Sequence, residues 1–133
     1  MCKKLVYYYF YKDIYDNYKI LSENGNISNS VYYAPLYNNI NKDKIEGLYT
    51  ENYVSIQSPD NENFYYDTSQ GSITFGNNSL IFTYSELWKP GNKNYKVKII
   101  SGTGKYLNAK GYIYFNDGDF NVKSYASIKI CLC

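Results

Sequence analysis

The chain has 133 residues, enough for one hydrophobic core and few for two ordinary domains, so residues 1–133 read as a single domain. It carries 14 basic and 12 acidic side chains, and the net charge of +2 is too small to imply a nucleic-acid partner by itself. Histidine is absent, which excludes a serine–histidine or cysteine–histidine hydrolase within the chain and removes the commonest transition-metal ligand.

Hydrophobic residues make up 44% of the chain, but 19 of them are Tyr and six are Phe, a bias that favours strands. Abundant Asn favours turns. An Asn-, Tyr-, Ile- and Lys-heavy composition is also what an AT-rich genome encodes, a large DNA virus among others. Residues 5–12 read as the first strand, with Val6, Tyr8 and Phe10 on one face and Leu5, Tyr7, Tyr9 and Tyr11 on the other. Residues 13–17 read as a turn and 18–21 as a short extension. A loop-rich insertion is expected at about 22–44, interrupted by a short strand over 31–34 that Pro35 ends.

A long strand follows from Ile45 to Gln57. Residues 63–67 and 72–75 read as a hairpin around Thr68-Ser69-Gln70-Gly71. The next strand spans 79–88, and Lys89-Pro90-Gly91-Asn92 turns the chain. Tyr95, Val97 and Ile99 alternate with Lys96 and Lys98, which gives one dry and one wet face. A glycine bend at 102–104 leads to a strand over 108–115, then an Asp-Gly turn. The last strand puts Phe120, Val122, Ala126, Ile128, Ile130 and Leu132 on one face. Strands joined by short turns describe an all-β antiparallel meander that closes into a barrel or folds into a sandwich.

No run is apolar and long enough to span a bilayer, and the N-terminus lacks a signal-peptide pattern, so an intracellular protein is expected. Cys2, Cys131 and Cys133 are odd in number and terminal, and are expected to be free thiols. They do not complete a metal site, and no cofactor motif is present. In Ile100-Ser101-Gly102-Thr103-Gly104-Lys105-Tyr106 the glycines stand two apart and Lys105 precedes Tyr106, so neither a Walker loop nor a dinucleotide fingerprint is formed.

That segment, continued through Leu107-Asn108-Ala109-Lys110-Gly111-Tyr112, resembles the glycine-rich signature of the dirigent and allene-oxide-cyclase barrels. Tyr9-Phe10-Tyr11-Lys12-Asp13-Ile14 is similar to the family's opening strand, with Lys12 in the place of a histidine. Residues 64–76 look like the cyclase hairpin, with a turn one residue different in length. The resemblance implies an eight-stranded antiparallel β-barrel, commonly trimeric. A homotrimer also suits strands 5–11 and 112–115, which are apolar or aromatic on both faces. In the cyclases a Glu and an Asn on the opening strand do the polar work. Here those places hold Tyr8, Phe10 and Tyr11, which puts cyclase activity in doubt.

Asp13 matches the dirigent aspartate of the opening strand, and as a plain turn residue it would instead bond its own backbone. Glu86 sits among Tyr84, Trp88 and Phe82 and is the other candidate acid. Tyr49, Glu51, Tyr84, Trp88 and Tyr106 are the candidate ligand-binding residues. Lys96, Lys98, Lys105 and Lys110 beside Tyr106 and Tyr112 read as a solvated face rather than a nucleic-acid strip. The leading expectation is a non-enzymatic binding or assembly module, with a viral structural or accessory role among the settings that fit. The alternatives are a dirigent- or cyclase-like protein that steers a hydrophobic small molecule, and a glycan-binding barrel.

Overall fold

The computed structural model describes residues 4–11, 19–39, 44–88, 94–116 and 125–133, with side chains for 19–39, 44–87, 96–115 and 128–133. Within them are nine strands: β1 (Lys4–Tyr11), β2 (Lys19–Asn24), β3 (Ile27–Tyr37), β4 (Ile45–Gln57), β5 (Tyr65–Phe75), β6 (Asn78–Trp88), β7 (Asn94–Thr103), β8 (Gly111–Asn116) and β9 (Tyr125–Leu132). They form one antiparallel sheet in the order β1-β9-β8-β7-β6-β5-β4-β3-β2. β1 pairs with β9 from Lys4↔Leu132 to Tyr11↔Tyr125, and also meets β3 at Tyr9↔Tyr37. This single bridge sets β1 against β3, so β1 and β3 to β9 outline the eight-stranded antiparallel barrel.

β2 lies outside that ring, on the stretch of β3 edge that β1 does not reach, from Lys19↔Val31 to Asn24↔Ile27. The expected loop over 22–30 is therefore a hairpin around Gly25, and β3 continues through Pro35. Proline lacks a ladder donor and survives only where one edge is unpaired. Pro35 falls between the last β2 partner, Val31, and the β1 partner, Tyr37.

The segment 68–71 is a second correction. Its Thr-Ser-Gln-Gly composition reads as a turn, yet β5 runs unbroken through it and pairs with β4 and β6 throughout. Gly71 serves close approach instead: a Cβ there would meet the Phe82 ring and the Thr50 carbonyl oxygen.

Alternation along the strands builds the core. Val97, Ile99, Ile113, Phe115, Ile128 and Ile130 point inward, while Lys96, Lys98 and Tyr114 are exposed. One end of the barrel is sealed by the Gly104–Tyr106 turn, where Gly104 adopts φ +61°. Lys105 N–H donates to Asn78 Oδ1 at 2.9 Å, and the Tyr106 ring packs 6.0 Å from Phe75. The glycine-rich signature is thus a barrel cap.

Cys131 is buried and free, whereas Cys133 is disulfide-bonded to a partner outside the described residues, which corrects the expectation of free thiols. With three cysteines in the chain, denatured, unreduced protein is expected to titrate one thiol if the bond is intramolecular and three after reduction. Three thiols before reduction would contradict the bond. Among the described residues no helix is long and apolar enough to cross a membrane.

Candidate functional site

The register of β3, β4, β5 and β6 stacks the inward side chains in layers. Ala34, Tyr49, Ile73 and Leu80 form an apolar layer. Tyr32, Glu51, Gly71 and Phe82 form the next, followed by Ser30, Tyr53, Ser69 and Tyr84, then Ser28, Ser55, Asp67 and Glu86. Polarity rises layer by layer away from the cap. Burial falls in the same direction: Tyr49 and Glu51 are 3% and 4% exposed, while Tyr53, Tyr84, Asp67 and Glu86 are partly exposed. This gradient marks the open end, the mouth.

Glu51 sits where the apolar floor meets the polar mouth. The hydroxyls of Tyr32 and Tyr49 both donate to its Oε2. Tyr49 in turn stacks on Phe82 at 5.5 Å and meets Phe115 edge-on at 5.7 Å, which fixes its hydroxyl. Tyr53 stands edge-on to Tyr32 at 6.1 Å. Burial raises the Glu51 pKa above its ordinary 4.5; the Tyr32 and Tyr49 hydrogen bonds oppose that rise, and the charge of Asp67 adds to it. Tyr32 is held well above the usual phenol range, by burial first and then by the Glu51 charge. The Ser69 hydroxyl favours the charged form of Glu51 without completing a hydrogen bond of full geometry, and it is 2% exposed.

Asp67 and Glu86 face each other across β5 and β6. Burial is the first cause raising each pKa; a Ser55 hydrogen bond restrains Asp67, and the Asp67 charge pushes Glu86 further up. A carboxyl with a raised pKa is a proton donor or acceptor closer to neutrality than a surface carboxylate. Among the described residues no group of three or more His, Cys, Asp or Glu side chains is arranged to hold a metal ion.

Of the residues expected to bind a ligand, Tyr49 and Glu51 touch, and Tyr84 lies one layer nearer the mouth. Glu86 lies one layer further out. Tyr106 is at the cap, at the opposite end from the other candidates. The Trp88 backbone pairs with Tyr65 at the mouth end, and its side chain lies outside the described residues. Asp13 also lies outside them. Tyr8, Phe10 and Tyr11 take their places in β1 opposite Ile128, Ala126 and Tyr125, again without described side chains. Tyr32, Ser69 and Asp67 were not legible as site residues. Tyr32 becomes visible only through its register with Glu51, and the other two fell in the supposed hairpin.

The outer face carries two further features. Lys96 covers the Tyr112 ring at 4.4 Å, and Lys129 covers Tyr114 at 4.8 Å. A groove of about 630 Å³ is lined by Tyr33, Thr50, Asn52, Gln70, Ser72 and Ile81, and also by Tyr32, Glu51 and Gly71 of the Glu51 layer.

No protein-family model matches the sequence, and no curated protein matches it. Solved structures do resemble it. A pyocyanin demethylase superposes with a TM-score of 0.66 at 14% identity, covering 98% of this chain and 100% of that one. A pterocarpan synthase dirigent protein gives 0.69 at 18% identity, covering 97% of this chain and 87% of its own. A second pterocarpan synthase dirigent protein gives 0.64 at 12% identity, covering 99% and 95%. Likeness at these identities is one of fold, and the fold is that of the dirigent-type β-barrel.

Proposed function

We propose that the barrel is a non-enzymatic binding module whose mouth takes a small, largely apolar aromatic molecule bearing a polar group. The observation that carries this reading is the Glu51 carboxyl, bonded by two tyrosine hydroxyls at the floor of an aromatic-walled barrel interior. Binding sites for small molecules combine apolar walls with a few placed polar groups, as here. Two similar barrels are named as a pyocyanin demethylase and a pterocarpan synthase dirigent protein. The absence of turnover is supported by the aromatic residues Tyr8, Phe10 and Tyr11 at the places the resemblance gives to polar ones. A homotrimer and a virion setting belong to the same proposal. The disulfide at Cys133 argues for a more oxidising environment than the cytosol.

The neutral dye N-phenyl-1-naphthylamine, which brightens in apolar surroundings, tests the reading. Wild type is expected to saturate, and Ser69→Trp, which fills the layer above Glu51, to weaken binding at least ~10-fold, equivalent to about 1.4 kcal/mol. A wild-type protein that leaves the dye dark would sink the proposal.

One observation favours a second reading. The raised pKa of buried Glu51 suits proton transfer to or from a bound phenol, as a dirigent- or cyclase-like steering protein would need. Stereochemically biased coupling of a phenol in the presence of wild type, lost in Glu51→Gln, would replace binding by steering.

A further inference from the structure

We infer that the molecule taken by the mouth is an organic cation, an ammonium or N-heteroaromatic ion, held between the carboxylates of Asp67 and Glu86 and the surrounding tyrosine rings. This rests on the reading that the mouth binds a small molecule.

Charge is the first argument. Three carboxyl groups, Glu51, Asp67 and Glu86, occupy inward register positions on three adjacent strands, and Asp67 directly opposes Glu86. No described lysine shares the interior with them. Lys96, Lys98 and Lys129 alternate with the buried Val97, Ile99, Ile128 and Ile130 and so face outward. Lys19 is exposed on β2, outside the ring. Lys105 and Lys110 belong to the cap region, and Lys44 pairs with the exterior Glu46 at 3.8 Å. Like charges on directly opposed strand positions destabilise the pair unless something between them neutralises the repulsion.

The second argument is unused bonding capacity. The Ser69 hydroxyl, in the layer between Glu51 and the Asp67–Glu86 pair, has no hydrogen-bond partner despite being 2% exposed. The Asp67 Oδ1 atom is likewise buried and unpartnered. Buried polar atoms are almost always satisfied in a folded protein, so two orphans in adjacent layers point to a guest that satisfies them. The aromatic wall supplies the third argument. Tyr53 and Tyr84 line the Ser69 layer and Tyr32 the Glu51 layer behind it, and tyrosine faces attract cations, the more so when the cation is stripped of water. Since the carboxyl groups do not converge as a metal site among the described residues, the fitting cation is one large enough to span two layers.

The pKa directions agree with this picture. Burial raises Asp67 and Glu86, and a bound cation would draw both down again and release protons. The ionisable groups facing them are Glu51, Tyr32, Tyr49, Tyr53, Tyr65 and Tyr84. β7, β8 and β9 present only apolar described side chains inward. Cation affinity is therefore expected to rise with pH through the carboxylate range.

Acridine and N-methylacridinium test the inference, because they share a ring system and differ in charge at mildly alkaline pH. Fluorescence titration of the full chain is expected to show the cation bound at least ~10-fold more tightly by wild type, with the preference shrinking as salt is added. The Asp67→Asn/Glu86→Gln double variant, checked for folding by its melting curve, is expected to bring the two ligands to near parity. Equal affinities in wild type would overturn the cation inference and leave the binding reading standing. Failure of both ligands to bind would take down that reading as well.

Discussion

Phe82→Ala is expected to lower the melting temperature by about 10–20 °C. Phe82 is fully buried, stacks on Tyr49 at 5.5 Å and meets Phe115 at 6.4 Å. Emptying such a site costs about 3–5 kcal/mol, and each kcal/mol moves the melting point of a domain this size by about 3–5 °C. The same ring explains Gly71, whose neighbours in sequence have the composition of a turn. Gly71→Ala is expected to destabilise wild type by about 1–3 kcal/mol, because its Cβ has no space between the Phe82 ring and the Thr50 carbonyl oxygen. On the Phe82→Ala background part of that loss should vanish, and the part due to the fixed Thr50 carbonyl should remain. Circular-dichroism melts of the two single variants and the double variant form the cycle. Strict additivity would show that Gly71 and Phe82 do not press on each other.

At Glu51 the expected results divide by chemistry. Glu51→Gln keeps an acceptor for the Tyr32 and Tyr49 hydroxyls and removes the charge. Glu51→Leu leaves two buried hydroxyls without their acceptor, at a cost of about 1–3 kcal/mol each, and should melt lower at every pH. The sign of the pH effect follows from the raised carboxyl pKa. The folded state holds the proton more tightly than the unfolded state, so the stabilisation is complete below 4.5 and is lost as pH rises through the folded value. Asp67 and Glu86, raised from 3.8 and 4.5, act in the same direction. Wild type is therefore expected to lose melting temperature as pH rises from 4.5 towards neutrality, and Glu51→Gln to show a shallower loss and to melt a few degrees higher at neutral pH. A steeper loss in Glu51→Gln than in wild type would contradict the buried-carboxyl account.

The strands that could be read correctly from sequence are those whose two faces differ chemically. Val97 and Ile99 against Lys96 and Lys98 leave no choice of face, and Ile128 and Ile130 against Lys129 repeat the pattern. The departures from expectation have one physical source: local composition does not by itself fix local conformation. Thr68-Ser69-Gln70-Gly71 has the residues of a turn, but its neighbours on β4 and β6 hold it extended. Pro35 has the residue type of a strand end, but an unpaired stretch of edge lets the strand pass. The site was half legible for the same reason. Tyr49 and Glu51 share a face by spacing along one strand, whereas Tyr32 reaches Glu51 only through a pairing between strands, which no single stretch of sequence contains.

The way the ring is joined has a bearing on how the molecule meets its neighbours. β1 and β3 touch at Tyr9↔Tyr37, and β2 occupies the edge of β3 beyond that point. A barrel closed along a short seam can part there without breaking its long ladders, and a parted seam would bare a row of backbone donors and acceptors to any passing chain. β2 acts as a selvedge on that cloth only over Ile27–Val31, and its own outer margin, the last in the sheet order, is the border a neighbouring chain would meet there.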